Sequence, residues 1–196
     1  ANSSTPVTVT GISTATKVTT GHSHSCALLD NKTVQCWGSG NRGRLGNNST
    51  SDQSTPVTVS NLTSVKDIGA GGHHSCAVHD NGTVQCWGYN YYGQLGDGTT
   101  TERTTPVSVS GISSATQISL GQYSSCALLT GGTVKCWGDN NNGQLGDGTT
   151  TDRTTPVSVS GLSGAVSVAG GYYNHYCAVL SGGSVKCWGS NGSGRL

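Results

Sequence analysis

The sequence predicts an all-β fold in which one antiparallel unit is repeated four times, and three observations support this. A cysteine hairpin recurs from Cys26 to Cys36, Cys76 to Cys86, Cys126 to Cys136 and Cys177 to Cys187, its first cysteines spaced 50, 50 and 51 residues apart. Trp37, Trp87, Trp137 and Trp188 keep the same intervals, and a fixed period of this size marks an array rather than four different parts. The 196 residues include 31 Gly but only four Pro, a composition of many tight turns between short elements. Val, Ile, Thr, Tyr and Trp gather in short alternating runs bounded by Gly, Asn, Asp and Ser, and nothing repeats at a helical spacing.

The second copy shows the elements in order. Val57-Thr58-Val59-Ser60 alternates apolar and polar residues, and Val65 to Ile68 follows after Asn61-Leu62-Thr63-Ser64. His74 to Val78 and Thr83 to Trp87 complete four short strands, and Asp80-Asn81-Gly82 forms the tip between the last two. A three-residue hairpin loop needs a residue at positive φ, which Gly82 supplies. The whole chain, 1–196, reads as a single repeat array with approximate units 1–46, 47–96, 97–146 and 147–196. The terminal unit is split between the two ends: ten residues, Gly146 to Thr155, separate Leu145 from Pro156, whereas joining Leu196 to Pro6 would leave only Ala1 to Thr5 between them.

Pairing across the hairpin tip places Cys26 opposite Cys36 and Leu28 opposite Val34 on one face, with Ala27, Leu29 and Trp37 on the other. Both faces are therefore apolar at their centre, and a strand pair buried on both sides at a 50-residue period suits stacked propeller blades. Directly opposed residues approach closely enough for a disulfide, so Cys26–Cys36, Cys76–Cys86, Cys126–Cys136 and Cys177–Cys187 are the expected bridges. Zinc is the rival reading, disfavoured because nine intervening residues do not resemble a CxxC knuckle. Bridges imply an oxidising compartment, extracellular, cell-surface or periplasmic, and an extracellular or cell-surface address is expected.

Composition narrows the function. The apolar share is 32%, Phe and Met are absent, and the formal charge is +1 with 10% charged residues, so no large aliphatic core and no basic stripe for nucleic acid is available. No segment approaches the roughly 18 apolar residues of a membrane-spanning helix, so membrane insertion is not expected. Ala1 reads as a processed or trimmed start. The few acids lie in polar loops and no nucleophile elbow occurs, so neither an enzyme nor a cofactor is expected.

These residues resemble the regulator of chromosome condensation repeat family. Gly71 to His74, Cys76-Ala77-Val78, Gly82-Thr83-Val84, Trp87-Gly88-Tyr89-Asn90 and Gly93-Gln94-Leu95-Gly96 match its unit in order. The third copy repeats the match with Gly132-Thr133-Val134, Trp137-Gly138-Asp139-Asn140 and Gly143-Gln144-Leu145-Gly146. The resemblance implies propeller blades, four-stranded and antiparallel, in an open arc or as part of a larger, usually seven-bladed ring. The cysteine pairs are foreign to the nuclear exchange factor that names the family, and secreted bacterial members, including inhibitors of β-lactamases, are more similar in compartment. The resemblance also implies that His24, His74 and His175, replaced by Ser124 in the third copy, are structural and bond within their blade. The four tryptophans read as scaffold too.

Two further candidates are weighed. The loops Asp97 to Glu102 and Asp147 to Asp152 are rich in oxygen but lack the acidic pattern of an EF-hand, so turn chemistry is preferred to calcium. What varies between copies is better placed to carry specificity, and it includes Tyr89, Tyr91, Tyr92, Tyr123, Tyr172 and Tyr173. Loop tyrosines beside Asn and Ser suit binding. The expected function is an extracellular, non-catalytic structural or binding module that pairs head to tail with copies of itself into a ring or fibre. The alternatives are a protein-binding propeller resembling the secreted inhibitors, or a glycan-binding module. An excerpt of a longer propeller and a self-contained four-unit closure are the other dispositions of the ends.

Overall fold

The computed structural model describes residues 2–196, whose strands form antiparallel sheets in chain order. The first sheet holds β1 (Ala15–Thr20), β2 (His24–Leu29), β3 (Val34–Gly38) and β4 (Gln53–Thr58). The second holds β5 (Val65–Ala70), β6 (His74–His79), β7 (Val84–Gly88) and β8 (Arg103–Ser108), and the third β9 (Ala115–Leu120), β10 (Ser124–Leu129), β11 (Val134–Gly138) and β12 (Arg153–Ser158). The last has three strands among the described residues: β13 (Ala165–Gly171), β14 (His175–Leu180) and β15 (Val185–Gly189).

The expected order of strands within a unit needs correction. The sequence order makes the proline-bearing run the first strand of its unit, but β4 pairs with β3, so Cys36 faces Val57 in the sheet before. The same register sets Cys86 opposite Val107 and Cys136 opposite Val157. Alternation identifies a strand without naming its partner. Proline, lacking an N–H, belongs at a sheet edge, and Pro56, Pro106 and Pro156 all sit on the outermost strand of their sheet.

Within each hairpin the register is the expected one, with Cys26 opposite Cys36, Leu28 opposite Val34 and Ser25 opposite Trp37. All four cysteine pairs are bridged, at Cα–Cα separations of 4.0–4.1 Å. Three apolar cores lie between consecutive sheets. In the first, Cys26, Leu28, Val34 and Cys36 of one sheet pack against Ala77 and Trp87 of the next, with Leu45, Val59 and Leu62 closing the outside. The other two repeat this arrangement around Trp137 and around Tyr176 with Trp188. Each sheet thus contributes half of two cores, as solenoid-like arrays require, and the sheets make an open arc.

Polar contacts lock neighbouring sheets. The Trp87 indole N–H donates to the Arg44 carbonyl at 2.9 Å, Trp137 to Gln94 at 2.9 Å and Trp188 to Gln144 at 3.0 Å. A glycine must sit beneath each ring: Gly46, Gly96 and Gly146 have φ near +70°, and a Cβ on any of them would meet the next tryptophan within 3 Å.

Two of the three histidines, His24 and His74, also differ from expectation, because they bond between blades and not within one. His24 Nε2 lies 2.8 Å from Ser75 Oγ, and His74 Nε2 lies 2.8 Å from Ser125 Oγ. Each serine hydroxyl donates onward to a carbonyl, of Arg44 or Gln94, so it accepts from the imidazole N–H. Burial pushes both histidines down to about 3, which keeps them neutral. At the third joint the sizes are exchanged. Ser124 replaces the histidine and Tyr176 replaces the serine, their hydroxyls sharing a hydrogen bond of 3.0 Å while Gly121 N–H donates to Tyr176.

Candidate binding site

All loops that connect β1 to β2, and their equivalents, emerge at the same end of the arc as the segments that follow each Trp-Gly. Variable residues from four blades therefore converge on one face. Tyr89 and Tyr91 stack at 6.4 Å, Tyr92 meets Tyr91 edge-on at 5.0 Å, and Tyr123 lies 5.1 Å from Tyr92. Tyr172 and Tyr173 form a T-shaped pair at 5.3 Å on the fourth blade. Two histidines join these groups: His73 stacks on Tyr123 at 5.5 Å, His22 lies 5.8 Å from His73, and His22 stacks on Tyr172 at 5.5 Å. The His22–Tyr172 stack spans the arc from its first blade to its fourth.

Cations cap both ends of this belt, Arg42 over Tyr89 at 5.1 Å and Arg195 over Tyr173 at 5.4 Å. Tyr91 is 67% exposed and Tyr173 is 65% exposed, so the rings do not merely seal blade edges. Burial, then Arg44 and His22, hold His73 below the usual imidazole range. His22, His73 and Arg42 were passed over as site residues because a lone imidazole or guanidinium carries no periodic signal. Their shared placement in the variable segments was the only clue. Tyr176 was missed for another reason: its replacement of a serine is visible, but its pairing with Ser124 is visible only in space.

The acidic loops turn their carboxylates inward. Asp97 receives hydrogen bonds from Thr99 N–H and Oγ1 and from Arg103 Nε and Nη2. Burial alone would raise its pKa, but the bonds from Arg103 and Thr99 outweigh that and hold it below the carboxylate range. Asp147 repeats the pattern with Thr149 and Arg153 and falls to about 2. Among the described residues no three His, Cys, Asp or Glu side chains converge as a metal site would require, and no helix is long and apolar enough to cross a membrane.

The outward faces of the first and last blades differ from the inner joints. Trp37 is half-buried and its indole N–H has no acceptor among the described residues, in contrast to its three counterparts. Leu45, Leu95 and Leu145 are fully buried while Leu196 is 52% exposed. Val7 and Val9 lie exposed beside Trp37 and form no strand, and β15 pairs on one side only.

Comparison with known proteins agrees with this architecture. Yeast RCC1 (Prp20), solved with Kap60, is 22% identical with a TM-score of 0.80, over 93% of this chain and 46% of that one. Human WBSCR16 is 23% identical with a TM-score of 0.79, over 89% and 47%. The ectodomain of the Physcomitrella patens receptor kinase CR4 is 25% identical with a TM-score of 0.58, over 90% and 39%. The chain spans about half the length or less of these structures, and the likeness shows the fold. No curated protein sequence matches. Two models described as the regulator of chromosome condensation (RCC1) repeat match residues 33–78, 81–128 and 131–179, and residues 15–44, 65–94, 115–144 and 165–195. With the repeat matched across most of its length and the propeller arc in place, the chain belongs to the RCC1 repeat family.

Proposed function

We propose that this chain is a secreted, non-catalytic module that binds a protein partner through its aromatic belt. The observation that carries this is the continuity of the belt, in which rings from all four blades and two flanking arginines make one surface. Tyrosine and arginine are the residues that dominate binding energy at protein interfaces. Yeast RCC1 has itself been solved bound to a protein, Kap60. Four buried or half-buried bridges support the extracellular address. Asp97 and Asp147 are held by Arg103 and Arg153 at the starts of the strands that follow their loops, which speaks against acid–base chemistry. The test compares partner capture by the native chain with capture by a Tyr91→Ala/Tyr173→Ala variant. Loss of the partner supports the reading, and undiminished capture removes it. Competition by simple sugars would instead support glycan recognition.

Head-to-tail self-association is a second reading, favoured by the match between the two outward faces. The last blade carries Gly194-Arg195-Leu196, the counterpart of Gly43-Arg44-Leu45, whose carbonyl and leucine serve the tryptophan of the next blade. Trp37 lacks such a neighbour. Pro6-Val7-Thr8-Val9 repeats Pro56-Val57-Thr58-Val59, the strand type that β15 lacks. A second copy docked last blade to first would satisfy both faces at once. Light scattering across a concentration series checks this: oligomers that a Val9→Asp substitution dissolves are expected, and a monomer at every concentration excludes the reading.

A further inference from the structure

One position in the repeat carries a charge that its surroundings do not answer. The residue before the buried leucine is Arg44 in the first copy and Gln94 and Gln144 in the second and third. All three are buried, Arg44 being 4% exposed. Glutamine is neutral, but a guanidinium keeps its charge at any physiological pH, and an isolated buried charge is unfavourable unless something pairs with it.

Arg44 has almost no partner. Its Nε donates to the Asn41 carbonyl at 2.8 Å, and neither Nη group meets an acceptor among the described residues. Among the described residues no carboxylate lies within ion-pair distance. Asp52 is the one carboxylate whose charge acts on it, but Asp52 makes no hydrogen bond to the guanidinium, its Oδ1 accepting from Gly40 N–H at 2.9 Å and from Ser39 Oγ. Arg42 is already paired with Glu102 at 2.5 Å. Arg44 instead lines a cavity of about 210 Å³ with Asn41, Arg42, His73, Tyr89 and Tyr123, opening onto the aromatic belt.

The third copy shows what belongs at this corner. There Asp139 stands where the first copy has Ser39, and its Oδ2 accepts from Gln144 Nε2 at 2.7 Å and from Asn174 Nδ2 at 3.4 Å. Asn174 precedes its β14 strand as His73 precedes β6, and each carbonyl takes the N–H that follows the Trp-Gly of its blade. The corner made by Asp139, Gln144 and Asn174 thus corresponds to Ser39, Arg44 and His73. In one copy the chain supplies the carboxylate, and in the other it supplies a cation and leaves the carboxylate out.

We infer that the Arg44 cavity is a receptor for a carboxylate, brought by an aspartate or glutamate side chain of a protein partner. The inference rests on the belt being a protein-binding surface and names the anchor within it. The free fork of Arg44 suits two-pronged recognition of a carboxylate, and the half-buried rings of Tyr89 and Tyr123 line the cavity beside it. The cavity of about 210 Å³ admits an acidic side chain, while the belt beyond it calls for a ligand larger than one sugar acid.

The test follows the Arg44 Nε–Hε resonance by NMR during titration with the blocked tripeptide acetyl-Gly-Glu-Gly-amide, the glutamine analogue and free glucuronate. The glutamate peptide is expected to shift that resonance saturably and to raise the His73 pKa, with the glutamine peptide silent and glucuronate about tenfold weaker. Arg44→Gln, which restores the residue of the second and third copies, is expected to fold and to abolish the response. Arg44→Lys should retain the charge but weaken binding about tenfold. An equal response to the glutamine peptide, a response that survives in Arg44→Gln, or none at all overturns the proposal. Tighter binding of glucuronate than of the peptide overturns the protein assignment. The titration contains no macromolecular partner, so its failure removes the carboxylate receptor alone, whereas failure of the tyrosine substitutions to affect capture removes the belt reading alone.

Discussion

Trp137 and Trp37 occupy the same position in two copies of one unit, yet their surroundings have little in common. Trp137 is fully buried, donates to the Gln94 carbonyl at 2.9 Å and packs over Gly96. Trp37 is half-buried and lies beside Val7 and Val9 with no acceptor for its N–H among the described residues. The identical residue is core in one place and surface in the other because half of each blade's interior belongs to the blade next to it. Stability in this molecule therefore resides in the joints rather than in the units.

The largest expected effect tests that contrast directly. Trp137→Ala should cost about 3–5 kcal/mol in equilibrium denaturation and leave the Gln94 carbonyl with one donor fewer. Trp37→Ala should cost about half as much or less, since the ring is already partly solvated. Equal losses would mean that the outward face is covered in solution, which would favour self-association.

Next come the bridges. Cys126–Cys136 lies in an inner joint and Cys177–Cys187 on the outward face, with the same sequence separation of 10. Loop-closure entropy predicts that replacing either pair by serine costs about 2–3 kcal/mol. An additional loss at the inner pair alone would measure the packing that the joint adds.

The histidines of the first two joints sharpen the comparison through pH. Both are neutral when folded, with pKa values lowered from 6.5 to about 3 by burial, so the unfolded chain binds more protons below pH 6.5. Stability should fall as pH drops from about 6.5 toward 3, with a limiting slope of about 1.4 kcal/mol per pH unit for each histidine. Replacing His74 by Gln should remove one histidine's share of that slope in denaturation series at several pH values. The acids act in the same direction but lower, since Asp147, depressed to about 2, is stabilising above its unfolded pKa and loses this as pH falls through about 2.

The smallest effect belongs to the belt. Tyr91→Ala and Tyr173→Ala should each change stability by no more than about 0.5 kcal/mol, because both side chains are largely exposed. A larger loss would show the rings to be scaffold and not a binding surface.

The features legible in advance were the local ones. The cysteine hairpins could be placed because ten residues of chain and a three-residue tip dictate which side chains oppose each other. The tyrosines could be named one by one, since loop position and composition travel with the sequence. That the rings of the second and fourth blades are joined by His22 and His73 could not be read, because His73 is 50 positions from Tyr123 and His22 is 150 positions from Tyr172. The exchange of glutamine for Arg44 is visible in the sequence, but its burial, which gives it meaning, is not.

By itself the sequence determined the period, the alternation within each strand and the covalent pairing, all of which depend on neighbours within one hairpin. Only the tertiary structure decided that the proline-bearing strand closes the preceding sheet, that histidine bonds to the next blade and that Ser124 and Tyr176 exchange roles. The first pairs Cys36 with Val57 across a long loop, and the other two join groups 51 and 52 residues apart. Nothing in a local pattern encodes such a contact, because the free energy that selects it comes from burial between sheets and does not exist until two of them meet.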